Sequence, residues 1–199
     1  MKQQKTAGNV LRQEVAVTVS QHSTAPAHIV FDVLANLPGH LMWGGAEAST
    51  LLFMDAPEGQ ATAGTEFSST AEDGICRMQD SSVVTEAVRP LSFERVTESV
   101  LTSKRNGTKA DWLTVHRYDI EADGSQSSIT YRCRLVRANG LPGPLAMFGI
   151  PVLRSLASLE WARASRAGLR RLVAAAESMA QASPASETRK EQDDGKAKD

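Results

Sequence analysis

The chain has 199 residues, 41% hydrophobic and 23% charged, a composition that suits one ordinary domain with its own core. A net charge of −1 argues against a general nucleic-acid binder, which carries a strong basic excess. Two cysteines, Cys76 and Cys133, are too few for a disulfide-built secreted scaffold, and no stretch reaches the roughly 18 apolar residues of a membrane span. The opening MKQQKTAGN lacks the apolar run of a signal peptide, so a cytoplasmic protein with free thiols and no integral membrane association is expected.

Residues 1–9 read as a flexible N-terminus, and the folded domain is expected over 10–180. In LRQEVAVTVSQHS, Val15, Val17 and Val19 alternate with polar or small neighbours, the pattern of a strand with one buried face. A short helix follows. Ser23 or Thr24 is placed to cap it, Pro26 suits its first turn, and Ile29, Val30, Val33 and Leu34 form its apolar face. Leu37-Pro38-Gly39 ends it, and a second short turn or helix leads to Trp43 and Gly44-Gly45.

From about 48 to 137 the helical period disappears. Strands are expected near 48–54, 62–71, 75–88, 92–103, 109–121 and 126–137. They are punctuated by Pro57-Glu58-Gly59, Asp73-Gly74, Arg89-Pro90, Asn106-Gly107 and Asp123-Gly124. Asn-Gly and Asp-Gly are strong hairpin signals, and strands joined in sequence by tight turns make an antiparallel sheet. Alternation assigns faces in three strands. Ile129, Tyr131, Cys133 and Leu135 point inward. So do Trp112, Thr114, His116, Tyr118 and Ile120, and also Thr65, Phe67 and Ser69. The strands at 75–88 and 92–103 alternate poorly, and their faces stay unassigned.

Leu141 to Val152 is uncharged and broken by Pro142, Pro144 and Pro151, which suits a capping loop. Pro151 then fits the first turn of a long helix reaching about Ala180, roughly 40 Å at 1.5 Å per residue. Positions 158, 162, 165, 169, 172, 173 and 176 share one stripe. Its first half is small (Ser158, Ala162, Ser165) and its second half bulky (Leu169, Leu172, Val173). Because interiors pack densely, small residues on half a buried face mean either a close neighbour or a space. Residues 181–199 carry mixed charge and no large apolar residue, so a disordered tail is expected. One sheet and one long helix give a two-layer α+β domain.

This order of elements resembles the START-like (SRPBCC) superfamily with its helix-grip fold, nearest to its bacterial polyketide cyclase/dehydrase-like and lipid-transport-like members. The residues that carry the likeness are the first strand, Ala25-Pro26-Ala27, and Phe31 to Leu34 leading to Trp43. Gly64-Thr65, Val84-Thr85-Glu86 before Arg89-Pro90, the strand pair about Asp123-Gly124, and the terminal helix ending near Glu177 complete it. It spans roughly Leu11 to Ser178. The resemblance implies a curved antiparallel sheet wrapped around the C-terminal helix, with a cavity between them. It also implies functions ranging over hydrophobic-ligand or lipid binding, aromatase/cyclase chemistry and partner binding.

No GxSxG motif, phosphate loop or metal-spaced cluster is present, so no metal and no cofactor is expected. The inward polar residues suit a pocket that is mostly apolar with a few placed polar groups. Its expected lining is Trp43, Phe67, Trp112, His116, Tyr118, Tyr131, Phe148, Ser158, Ala162 and Ser165, with Leu141–Val152 as lid. The first function expected is binding of a hydrophobic small molecule or lipid. An alternative is a cyclase, aromatase or dehydratase that uses His116 or Tyr118 for proton transfer. Another is a protein-interaction module with no filled cavity. Homo-oligomerisation is left open.

Overall fold

The structure is a computed structural model that describes residues 14–44, 49–140 and 151–182. The expected N-terminal leader (1–9), residues 183–199 of the tail, Phe148 and most of the expected lid lie outside the described residues.

Seven strands form one antiparallel sheet in the order β1-β7-β6-β5-β4-β3-β2. They are β1 (Val15–Ser23), β2 (Ser49–Asp55), β3 (Glu66–Asp73), β4 (Cys76–Val88), β5 (Ser92–Ser103), β6 (Lys109–Asp123) and β7 (Gln126–Asn139). From β2 to β7 every strand pairs with the next in sequence, and β1 closes onto β7. Two of the tight turns contain Gly107 and Gly124 at φ 69° and 60°, the left-handed region that side-chain-bearing residues avoid.

Three helical elements occupy one side of the curved sheet. They are α1 (Ala27–Ala35), α2 (His40–Trp43), reached through a 3₁₀ turn at Leu37–Gly39, and α3 (Pro151–Ala182). The expected Ser or Thr cap of α1 is not formed: Pro26 holds the cap position with extended backbone, and no side chain caps the helix. The Ser23 hydroxyl instead accepts from the Ala25 N–H at 3.1 Å, and the Thr24 N–H donates to Glu177 of α3 at 2.8 Å. The turn before α1 is thus tied to the distant end of α3. At the other end of α1, Arg89 makes a two-pronged ion pair with Asp32 at 2.7 and 2.8 Å, anchoring the β4–β5 turn.

The strand expected over 62–71 begins only at Glu66. Residues Thr62 to Thr65 form a turn, in which Gly64 adopts φ 89° and the Thr62 N–H donates to the Thr65 hydroxyl. The expected inner set of β7 is confirmed, since Ile129, Tyr131, Cys133 and Leu135 are all buried. A bulge in β7 at Val136 then returns Ala138 to the inner face opposite Trp112.

The main core is built from Val17, Val19, Phe31, Leu34, Leu37, Phe93, Ile120 and Ile129, closed by Leu169, Leu172 and Val173 of α3. The α3 stripe divides as its residue sizes suggest. Leu169, Leu172, Val173 and Ala176 are buried, whereas Ser158, Ala162 and Ser165 are only half-buried. The close backbone contacts of α3 are with β1, α1 and α2. Its second half is the anchor, and burying Leu172 alone contributes about 2 kcal/mol.

Candidate functional site

The inner face of the central strands is polar, which explains why β4 and β5 show no apolar alternation. Pairing settles their faces. His116 on β6 lies opposite Arg95 on β5, and Arg95 lies opposite Val84 on β4. One step along, Thr114, Thr97, Ser82 and Phe67 line up across four strands. Beyond them run Trp112, Ser99, Asp80 and Ser69. The buried face of these strands therefore carries Asp80, Ser82, Arg95, Thr97 and Ser99, while Val83 and Val96 point the other way. A bulge between Val84 and Glu86 shifts the phase of β4 once more and completes the disguise.

His116, Tyr118 and Tyr131 come together as expected. The Tyr118 and Tyr131 rings lie 4.7 Å apart, and the Tyr131 hydroxyl is 2.7 Å from His116 Nδ1. His116 Nε2 is 3.0 Å from the Thr114 hydroxyl, which in turn reaches the Thr97 carbonyl at 3.5 Å. Burial, then the charge of Arg95, holds the His116 pKa well below its ordinary value, so the ring is neutral. Burial, aided by Cys133 and Tyr118, holds the Tyr131 phenol well above its usual range, so it keeps its proton.

With the Thr114 hydroxyl donating to the Thr97 carbonyl, these states are met by the following hydrogen-bond order. Thr114 donates to Thr97 and accepts from His116 Nε2–H, and Nδ1 accepts from Tyr131. Both ring nitrogens are then engaged, and the Tyr131 oxygen keeps a lone pair for another donor. Cys133 Sγ also lies 3.5 Å from Nδ1, but burial pushes its thiol up to about 11. A Cys–His nucleophile needs a thiolate, and this pair does not supply one at neutral pH. Burial likewise raises Tyr118, whose hydroxyl has no hydrogen bond among the described residues.

Arg95 is the charge at the centre of this group. It acts electrostatically on His40, Asp80, His116, Tyr118, Tyr131 and Cys133. Its guanidinium lies over the Phe67 ring at 5.5 Å, a cation–π contact. Its Nε is buried with no hydrogen-bond partner among the described residues, and no ion pair joins it to a carboxylate there. Two further buried atoms on this side of the sheet lack hydrogen-bond partners among the described residues: Trp43 Nε1, and Oδ1 of Asp80, whose Oδ2 accepts from Ser69 at 3.4 Å. Burial raises the Asp80 pKa, against the opposing pull of Ser99, Arg95 and Ser69.

The remaining expected residues are more dispersed. Trp43 ends α2 and packs on His40, ring centroids 4.3 Å apart. His40 is buried and donates from Nε2 to the Leu34 carbonyl at 2.7 Å; burial, then Arg95, lowers its pKa to about 3. Trp112 belongs to a second cluster with Val15, Leu135 and Trp161, and its indole N–H donates to the Gly140 carbonyl at 3.2 Å. Ala162 packs against the main core, and Ser158 and Ser165 are half-buried beside it on α3.

The outer face of the sheet is of another kind. There Arg117 bridges Glu86, Glu94 and Asp119 at 3.1, 3.4 and 2.9 Å, a half-buried ion-pair network. No described helix is long and apolar enough to cross a membrane.

No family model matches the chain, and neither does any curated protein. Solved structures do resemble it. A protein from Chromobacterium violaceum aligns with a TM-score of 0.52 at 13% identity, over 81% of this chain and 96% of its own. The KanY protein gives 0.53 at 14% identity, over 83% and 99% respectively. A protein from Arthrobacter aurescens gives 0.55 at 10% identity, over 84% and 92%. At these identities the likeness shows the fold alone, an α+β helix-grip arrangement along nearly the whole of each neighbour.

Proposed function

We propose that the protein binds a largely apolar small molecule, of lipid or polyketide-like size, between the inner sheet face and the first half of α3. One observation carries this. Arg95, Asp80, His116 and Tyr118 lie on the core side of the sheet, enclosed by protein, yet each keeps solvent-accessible surface. We read such groups as bordering an internal space. The first half of α3 supplies Trp161, packed against the core, and beside it the small residues Ser158, Ala162 and Ser165. Membership of the START-like superfamily is part of the same proposal, supported by the shared helix-grip fold. Binding is favoured over catalysis by His116, because both ring nitrogens are already engaged within the protein.

The test is native mass spectrometry of protein purified from its own host, with Ala162→Phe as the control. A co-purified organic adduct on the wild type that is lost in a folded Ala162→Phe supports the proposal. An adduct that survives the substitution would place the ligand elsewhere.

A further inference from the structure

An unpaired cation in an enclosed, low-dielectric site is costly. Proteins ordinarily give it a carboxylate or several acceptors, or let the group lose its charge. Arginine cannot take the last course, since its guanidinium stays protonated throughout the accessible pH range. Arg95 has Phe67 beneath it and Asp80 near enough to act on electrostatically, but no ion pair with it. Buried groups close by do not neutralise it, because His40 and His116 are neutral and Tyr118, Tyr131 and Cys133 keep their protons. On the inner side of the sheet the orphaned buried atoms among the described residues are two donors, Arg95 Nε and Trp43 Nε1, and one acceptor, Asp80 Oδ1; a fourth such atom, Asp119 Oδ2, lies on the outer face beside Arg132. That set is complementary to a molecule that brings an anionic oxygen to the arginine and an O–H or N–H to the aspartate.

Taking the inner-face binding site proposed above as its premise, we infer that the ligand is an amphipathic organic acid whose carboxylate-type head docks on Arg95. Its apolar body lies along Phe67, Tyr118 and the small-residue face of α3. A planar carboxylate meets a guanidinium through two parallel charge-assisted hydrogen bonds, stronger than neutral ones. The oxygen of Tyr131, 2.7 Å from His116 Nδ1, and the carboxylate of Asp80 can each accept a hydrogen bond. They would repel a second anionic group and favour a hydroxyl, which sets the polarity of the ligand on either side of Arg95.

The experiment uses N-phenyl-1-naphthylamine, a neutral fluorescent reporter, displaced by dodecanoate or by 1-dodecanol, which share a chain length and differ in the head. In the wild type, dodecanoate should displace the reporter at a concentration at least about tenfold lower, the worth of one charge-assisted hydrogen bond. Arg95→Met and Arg95→Gln should lose that preference, the potency of each competitor being read against the reporter affinity measured on the same variant. Equal potency of the two competitors on the wild type, or no displacement by either, overturns the inference; so does a preference that survives in a folded Arg95→Gln. The wild-type comparison stands even if both variants fail to fold. The binding site itself fails separately: no reporter binding to the wild type, or binding untouched by Ala162→Phe, would remove the premise.

Discussion

His40 and His116 give the fold a calculable weakness to mild acid. In the native state both are neutral. Burial and Arg95 lower the His40 pKa to about 3, and the same causes hold His116 well below its ordinary value. In the unfolded chain each returns to about 6.5. A group whose folded pKa is depressed takes up protons on unfolding, so its contribution is intact above the unfolded value and is lost as pH falls below it. For a histidine still neutral at pH ~5 the loss relative to pH ~7.5 is about 2 kcal/mol. His40 meets that condition, and His116 adds up to a similar amount. Asp80 works the other way. Its raised folded pKa means that its protonation on acidification favours the native state, so the titration is cleanest in Asp80→Asn. Urea unfolding followed by tryptophan fluorescence between those two pH values should show a fall of about 2–4 kcal/mol, a large part of an ordinary domain's stability. A change below about 0.5 kcal/mol in that background would refute the placement of two neutral histidines in the interior.

Three further outcomes follow from the packing. At pH ~7.5 Asp80→Asn should be more stable than wild type by about 1 kcal/mol, because the variant relieves a buried, partly unpartnered carboxylate; the gain should fade towards pH ~4. Equal destabilisation at both pH values would instead make Asp80 the ion partner of Arg95. Leu172→Ala, at a fully buried position between α3 and the core, should cost about 2–5 kcal/mol by urea denaturation, while Ser158→Ala on the half-buried stretch should cost under about 1. Cys76 and Cys133 are both buried, with thiol pKa values raised chiefly by that burial, Cys133 to about 11. Neither should react with Ellman's reagent on the native protein in minutes at neutral pH, and both should react after unfolding; prompt native labelling of Cys133 would mean an open, polarised thiol.

Much of the fold is legible in the sequence because its signals are local. Asn106-Gly107 and Asp123-Gly124 mark two of the hairpins, the three alternating valines mark β1, and Leu169, Leu172 and Val173 mark the anchoring half of α3. The faces of β4 and β5 are not legible by alternation. Their inner positions include the polar Asp80, Ser82, Arg95, Thr97 and Ser99 between the apolar Val84, Phe93 and Leu101, their outer ones include Val83 and Val96, and the bulge after Val84 breaks the period. A polar interior reads as no interior at all. A usable signal was nonetheless present in the β5–β6 hairpin. Folding the chain about its Asn-Gly turn pairs Thr102 with Lys109, and the same register sets Arg95 opposite the inward His116. The α1 cap was misread for a different reason. Ser23 has the right chemistry for a cap, but it serves Ala25 and Glu177, a tertiary use that local propensity does not foresee.

The central claim is an occupied or occupiable space bounded by Arg95, His116 and Ala162. A crystal structure of protein purified from its own host tests it most directly. Electron density for an organic molecule in that space, with an oxygen at the Arg95 guanidinium, is the predicted result. Side chains of α3 packed against the sheet there, with Arg95 paired to Asp80 and no space between, would contradict it.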